Sequence, residues 1–323
     1  MKVYISTDIG NTNSKGVMLL ENGSLLKQSF PTTVTETETG NTLDSSTYRV
    51  KIDGRYYVVG YSTKEFDNEK SSDKNTNTHY ISALTLITSL IKQSGVKMVE
   101  TVVLAINMPY NFYTHDVKRQ DMLTTYAHNK PITIEVNGEE LTFKIEPHLY
   151  FEGAGIASKN FELFGEEEVV ALMLGSWNYT ALTFDENFVP QIEKSHITET
   201  GVIRLLDKIN NAISIEDGVL RDYKKIEQII VSTPSTTLRK TKPEEIEIAR
   251  EMSKTYLEEI KETLRKKKGI DLNTTKFIIA GGGAKLFQDV LQGSMVYDHE
   301  LFTIDDDALF ADCIGAMAMI REQ

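Results

Sequence analysis

The sequence predicts an α/β protein of two related domains with a cleft between them, and three observations predict it. The chain has 323 residues, and at roughly 150 residues per domain that length divides into two cores. Strands come first and helices after, twice over, which is an α/β plan. A strand-turn-strand unit that opens the chain also recurs near residue 170, with Gly10 and Gly175 in equivalent places.

Val3, Ile5, Thr7 and Ile9 alternate with Tyr4, Ser6 and Asp8, the period of a strand with one buried face, and Gly10 ends it. Beyond the turn GNTNSKG, Val17–Leu20 reads as a second strand, and Asn22-Gly23 turns it into a third, Leu25–Phe30. The Thr-rich stretch 31–47 is expected to be a surface loop, and Asp53-Gly54 joins two further strands, 48–52 and 56–59. A helix is expected from a Thr78 cap, with Ile81, Leu84, Ile87 and Ile91 on one face and Gly95 as its stop. Val99–Ile106 is then a buried strand, and Asn137-Gly138 links strands 132–136 and 141–145.

In the second half, Val169–Leu174 and Tyr179–Phe184 flank the segment LGSWN. The longest helix is expected to start at a capping box, Thr241 with Glu244, and to run an apolar stripe of Ile246, Ala249, Met252, Tyr256, Ile260 and Leu264. Arg265, Lys266, Lys267 and Lys268 complement its terminal carbonyls, and Gly269 stops it. Phe277–Ala280 is a buried strand running into Gly281-Gly282-Gly283, a helix is expected over 285–291, and 306–320 closes the chain as another helix.

Hydrophobic residues make up 40% and charged residues 25%, an ordinary globular balance. No run approaches the roughly 18 apolar residues that span a bilayer, and MKVYISTDIG lacks the apolar core of a secretory signal, so a cytoplasmic location without a membrane partner is expected. Lys and Arg total 35 against 47 Asp and Glu, a net charge of −12 that argues against a direct grip on nucleic acid. Any link to DNA then needs an adaptor protein. Cys313, the one cysteine, sits among Ala311, Ile314 and Ala316 and is expected to be a buried, inert thiol. The histidines, His128 and His299 among them, lack metal-ligand spacing, so no zinc site is expected.

The segment from Asp8 to Lys15 has the parts a triphosphate needs. Gly10 permits close backbone approach, successive amides can face phosphate oxygens, Thr12 and Asn13 add donors, and Lys15 supplies positive charge. Asp8 suits a hydrated Mg²⁺, an ion that keeps several waters and commonly uses one or two carboxylates. An ordinary Asn- and Gly-rich turn uses the same residues. Gly281-Gly282-Gly283-Ala284, between a strand and a helix, either faces a nucleotide with bare backbone or is a flexible connection.

Asp8-Ile9-Gly10-Asn11-Thr12-Asn13 with Lys15 resembles the first phosphate loop of the actin superfamily, which also contains sugar kinases and heat-shock chaperones. Asn107-Met108-Pro109 resembles the Gly-Leu-Pro element of ParM-like bacterial actins, and Glu152-Gly153-Ala154-Gly155 resembles the element that opens their interdomain helix. Thr200-Gly201 and Ile279 to Ala284 are similar to a further family glycine and to the adenosine loop. These matches follow family order from residue 8 to about residue 316.

The resemblance implies an actin-like fold with domain I at 1–158, closed by the C-terminal helix 306–323, and domain II at 159–305. It implies a slow, Mg²⁺-dependent ATPase or GTPase that assembles head to tail with its own kind and segregates plasmids through a DNA-binding adaptor. By the same resemblance Asp8, Gly10, Asn11, Thr12, Asn13, Lys15, Gly175, Ser176, Asn178, Gly201, Gly281, Gly282 and Gly283 surround the nucleotide, with Asp8 on the metal. Glu152 orients the attacking water. Glu146, before Pro147, is a second candidate, and the Gly-Ala-Gly after Glu152 favours Glu152. Met173 and Thr180 stand where relatives carry aspartates in the second phosphate loop, so metal positioning falls on Asp8; Trp177 reads as a packing residue. Two rival functions remain, a small-molecule kinase resembling pantothenate kinases and a nucleotide-binding scaffold with weak hydrolysis. The missing second-loop aspartate counts against the first and for the second.

Overall fold

A computed structural model describes residues 1–38, 47–60, 73–127, 130–163, 167–232, 241–271, 274–288 and 302–321. It divides into two compact units, Met1–Lys159 with Phe310–Gln323, and Asn160–Leu309.

The first unit is built on strands β1 (Lys2–Ile9), β2 (Asn13–Leu19), β3 (Leu25–Pro31), β4 (Val34–Thr37), β5 (Tyr48–Ile52), β6 (Arg55–Val59), β7 (Thr101–Met108), β8 (Ile132–Val136) and β9 (Glu139–Phe151). They lie in the order β3-β2-β1-β7-β9-β8-β5-β6-β4. β1, β2 and β3 are an antiparallel meander, while β7 pairs parallel with both β1 and β9. Helix α1 (Asn77–Ser94) covers one face with Ile81, Leu84, Ile87 and Leu90, packed against Ile5, Val102, Leu104 and Ile106. The opposite face, with Val17, Val103 and Ala105, takes Cys313, Ala316, Met317 and Ile320 of the C-terminal helix Ala311–Arg321. Both faces being buried explains why β7 reads as an unbroken apolar run.

Several boundaries differ from expectation. β4 forms inside the segment expected to be a loop, whose residues 39–46 lie outside the described part. The N-cap of α1 is Thr76, whose hydroxyl accepts from His79 N at 3.4 Å, so Thr78 is already helical. β9 runs on to Phe151 because residues 144–151 pair with β7; among the described residues their other edge has no partner strand, so Pro147 sacrifices no ladder bond. Helices α2 (Tyr110–Tyr113), α3 (Asp116–Tyr126) and α4 (Ala154–Lys159) complete the unit.

The second unit has strands β10 (Val169–Leu174), β11 (Tyr179–Phe184), β12 (His196–Thr198), β13 (Lys276–Ala280) and β14 (Phe302–Ile304), in the order β12-β11-β10-β13-β14. This repeats β3-β2-β1-β7-β9 pair for pair: two antiparallel pairings, then two parallel ones. The register equates Asp8↔Lys15 of the first hairpin with Met173↔Thr180 of the second, each two residues before Gly10 or Gly175.

Helices α5 (Val202–Asp217), α6 (Tyr223–Ile230) and α7 (Pro243–Lys268) bury Leu205, Ile209, Ile226, Leu257 and Ile260 against Leu172, Phe277 and Phe287. The cap of α7 differs from the expected Thr241 with Glu244. Pro243 takes the first helical position and Glu245 accepts from Lys242 N at 3.2 Å, while Thr241 receives Lys225 Nζ. α8 spans Gly282–Leu286, and residues 289–301, with the rest of the expected helix and His299, lie outside the described part, as does His128. The C-terminal helix starts at Ala311 instead of 306 because Asp305 accepts from Asp307 N and Ala308 N in a separate turn. No described helix is long and apolar enough to cross a membrane.

Candidate functional site

The first hairpin closes through Gly10 N, which donates to Asn13 O at 3.1 Å; a Cβ on Gly10 would sit 3.1 Å from the same oxygen. Thr32 at the end of the meander braces the turn, donating to Thr12 O at 2.8 Å and sharing a 2.8 Å hydrogen bond with Ser14. Asn13 is exposed, and Asn11, Thr12 and Lys15 are partly buried.

Antiparallel register puts Lys15 opposite Asp8, with Lys15 Nζ 2.6 Å from Asp8 Oδ2. Lys74, just ahead of α1, reaches the other carboxylate oxygen at 2.9 Å and also contacts Glu152 Oε1. The four side chains form one chain, Lys15–Asp8–Lys74–Glu152, with two partly buried ammonium groups and two buried carboxylates. Burial alone would push the Asp8 carboxyl up, but Lys15 and Lys74 hold it well below the usual carboxylate range. Lys74 is raised in turn: Asp8 and Glu152 outweigh the cost of its burial. Burial, and after it the charge of Lys74, pushes His79 down to about 4.

Glu152 follows β9 and opens the turn into α4. Its N–H donates to Met108 O at 2.9 Å, and Gly153 holds a φ of +94°, a conformation suited to glycine. Glu146 is elsewhere. It pairs in register with Val103, which is level with Tyr4, so it lies about four residues, or roughly 13 Å, down the sheet from Asp8. There its side chain is 47% exposed and pairs with Lys2 Nζ at 2.8 Å.

Asp312 of the C-terminal helix is buried beneath the Glu152 turn, accepting from the amides of Gly153, Gly155 and Ile156 at 2.9–3.2 Å and from Asn107 Nδ2 at 2.6 Å. Burial, then the charge of Asp8, pushes it up to about 7 against the pull of those amides. Neighbouring Cys313 is buried, and burial raises its thiol pKa too.

The second unit brings its own glycines together. Gly175 N donates to Asn178 O at 2.9 Å, and the start of α5 docks on the same loop: Gly201 N to Trp177 O, Val202 N to Gly175 O and Ile203 N to Ser176 O, all at 2.9–3.0 Å. A Cβ on Gly201 would lie 2.3 Å from the Trp177 backbone, so this approach requires glycine. Gly281, with φ +89°, and Gly283 press against Leu174 at the end of β10. The start of α8 therefore adjoins the second hairpin, with Gly282 between them in sequence. Where the first hairpin has its ion pair, the second has Met173 and Thr180, whose buried hydroxyl has no partner among the described residues. The basic end of α7 is ion-paired to Glu262 through Arg265 and Lys266.

Each hairpin was legible, but Lys74, Asp312 and the Asn107 side chain were not assigned roles by sequence. Lys74 lies in a polar stretch without a motif. Asp312 did leave a signal: a carboxylate among Ala311, Cys313, Gly315 and Ala316 is out of place on a helix face that small residues commit to packing.

Residues 6–155 match the family described as the N-terminal domain of actin like proteins, and residues 175–293 match the C-terminal domain of the archaeal actin homologue MreB-like family. No curated relative matches the chain by sequence. The ADP complex of Ta0583, an archaeal actin homologue, is 18% identical with a TM-score of 0.75, covering 99% of this chain and 100% of its own. Apo pSK41 ParM is 18% identical with a TM-score of 0.73, over 99% and 98% of the two chains. ParM of a 15-stranded filament from Clostridium botulinum is 16% identical with a TM-score of 0.74, over 100% and 99%. With family matches in both halves and one fold along its whole length, the chain belongs to the actin-like proteins.

Proposed function

We propose that the chain is a filament-forming ATPase or GTPase that uses Mg²⁺ and drives plasmid segregation through a DNA-binding adaptor. The observation that carries this reading is the Lys15–Asp8–Lys74–Glu152 chain at the tip of the first hairpin. Two ammonium groups suit phosphate oxygens, and the Gly10–Asn13 turn offers amides beside them. Asp8 stays ionised in this setting, as a metal ligand must. Asp8 would hold the ion, since Mg²⁺ commonly uses one or two carboxylates and keeps several waters. Mg²⁺, when bound, supplies charge neutralisation to the phosphates. Glu152, one ammonium away from Asp8, orients the attacking water, because phosphoryl transfer depends mainly on positioning and charge. Gly175, Ser176, Asn178, Gly201, Gly281, Gly282 and Gly283 supply the second unit's contacts to the nucleotide.

Filament neighbours, the Clostridium botulinum ParM and Alp12, support self-association. Head-to-tail contacts that do not close into a ring generate such polymers. The test is electron microscopy with and without Mg²⁺ and ATP or GTP, with phosphate release followed in parallel. Filaments that need Mg²⁺-triphosphate and then release phosphate are the expected result, and no polymer under any nucleotide defeats it. Met173 and Thr180 favour one second reading, a scaffold that polymerises with little hydrolysis. Filaments without phosphate release select that reading.

A further inference from the structure

Asp312 and Asn107 stand outside the residues that sequence marks as nucleotide-binding, yet they grip the turn that carries Glu152. One oxygen of the Asp312 carboxylate accepts from Gly153 N at 3.1 Å, Gly155 N at 2.9 Å and Ile156 N at 3.2 Å. The other accepts from Gly153 N at 3.1 Å and Asn107 Nδ2 at 2.6 Å. These backbone amides open α4, where intrahelical bonding leaves donors unmatched. Their cap comes from a residue more than 150 positions later.

The C-terminal helix meets α4 backbone to backbone at this point. A Cβ on Gly155 would lie 1.9 Å from Asp312 O, and one on Gly315 would lie 1.8 Å from Gly155 O, so the two backbones touch. Asn107, 2% exposed at the end of β7, gives its amide nitrogen to Asp312 and leaves Oδ1 without a partner among the described residues. An unmatched buried acceptor is costly, and a bound water can satisfy it.

We propose that Asp312, acting through the Gly153–Ile156 amides and Asn107, is the positioning residue that fixes Glu152 for hydrolysis, so that the C-terminal helix sets turnover without touching nucleotide. The inference rests on the water-positioning reading of Glu152. A shift of about 1 Å in a reacting group can cost about 10²-fold in rate, whereas phosphates held by the first hairpin would not register it.

The full-length Asp312→Asn variant tests this at pH 8. Hydrogen exchange over 153–156 in the nucleotide-free protein should quicken at least about 10-fold while α1 stays protected. Triphosphate affinity should stay within about 3-fold, and single-turnover phosphate release should slow by about 10- to 100-fold. Unchanged exchange over 153–156, or affinity falling in step with turnover, overturns the proposal. Glu152→Gln is run alongside: if it hydrolyses normally, the reading of Glu152 fails. If Glu152→Gln is slow while Asp312→Asn turns over normally, only the role of Asp312 fails. Should Asp312→Asn not fold, Asn107→Ala removes the one side-chain hydrogen bond that Asp312 receives among the described residues, and slower release at unchanged affinity supports the proposal while unchanged release overturns it.

Discussion

Asp8 has a lysine on each carboxylate oxygen, and its replacement therefore does two things at once. Truncation to Ala strands Lys15 and Lys74 with Glu152 as their one remaining counter-charge in the chain, and breaking a buried pair costs about 3–5 kcal/mol. Asp8→Asn keeps the shape and is the better test of ligand binding. By isothermal titration it should lose the Mg²⁺ dependence of triphosphate affinity; a retained dependence would put the metal elsewhere. Glu152→Ala should still polymerise and release phosphate at least about 10²-fold more slowly if the carboxylate acts as a general base, in longer-lived filaments. Glu146→Ala, altered about 13 Å down the sheet by register, should change turnover little, and the reverse outcome would exchange the two assignments. Asp8 and Lys15 were readable because seven residues and a tight turn bring them face to face. Lys74 and Asp312 reach the site through tertiary packing, which no local spacing encodes.

Elements with strong periodicity or punctuation were legible, and those fixed by tertiary neighbours were less so. The first three strands and Gly95 as the stop of α1 could be read because alternation, Asn-Gly turns and a left-handed C-cap are local physics. α5 and α6 were missed. Val202, Leu205, Leu206, Ile209 and Ile213 do form an apolar stripe, but α5 starts at Gly201, whose side offers no capping group. Its first turn is fixed instead by the Gly175–Asn178 loop beneath it. The crossing of α4 with the C-terminal helix is the element contact most sensitive to one methyl group. Gly315→Ala should destabilise the protein by at least about 2 kcal/mol in urea denaturation, because the atoms it would strike are all Gly155 backbone and overpacked sites relax poorly. A loss below about 0.5 kcal/mol would mean that the helices part easily.

The whole molecule repeats one five-stranded topology but places its buried charge asymmetrically, with Asp8 and Lys15 in the first hairpin and Met173 and Thr180 in the second. That asymmetry gives stability a distinctive pH dependence. Asp8, held below the usual range by its lysines, contributes stability above about pH 4 that is lost as the pH falls further. Asp312 works in the opposite sense. Pushed up to about 7 by burial and by the charges of Asp8 and Glu152, it keeps a proton that the unfolded chain has released above about pH 4. The native state then binds more protons between about pH 4 and 7, so stability should fall as pH rises through that window, by up to about 4 kcal/mol at 1.36 kcal/mol per pH unit. The facing amides of Gly153 and Ile156 keep the carboxyl from rising further. Asp312→Asn removes the titrating group while leaving Asp8 in place. Urea midpoints at pH 5, 6, 7 and 8 should converge on or cross those of the wild type, with the wild type losing ground between pH 5 and 7 and the gap constant above. A gap that is the same at every pH would show that Asp312 is ionised throughout the range.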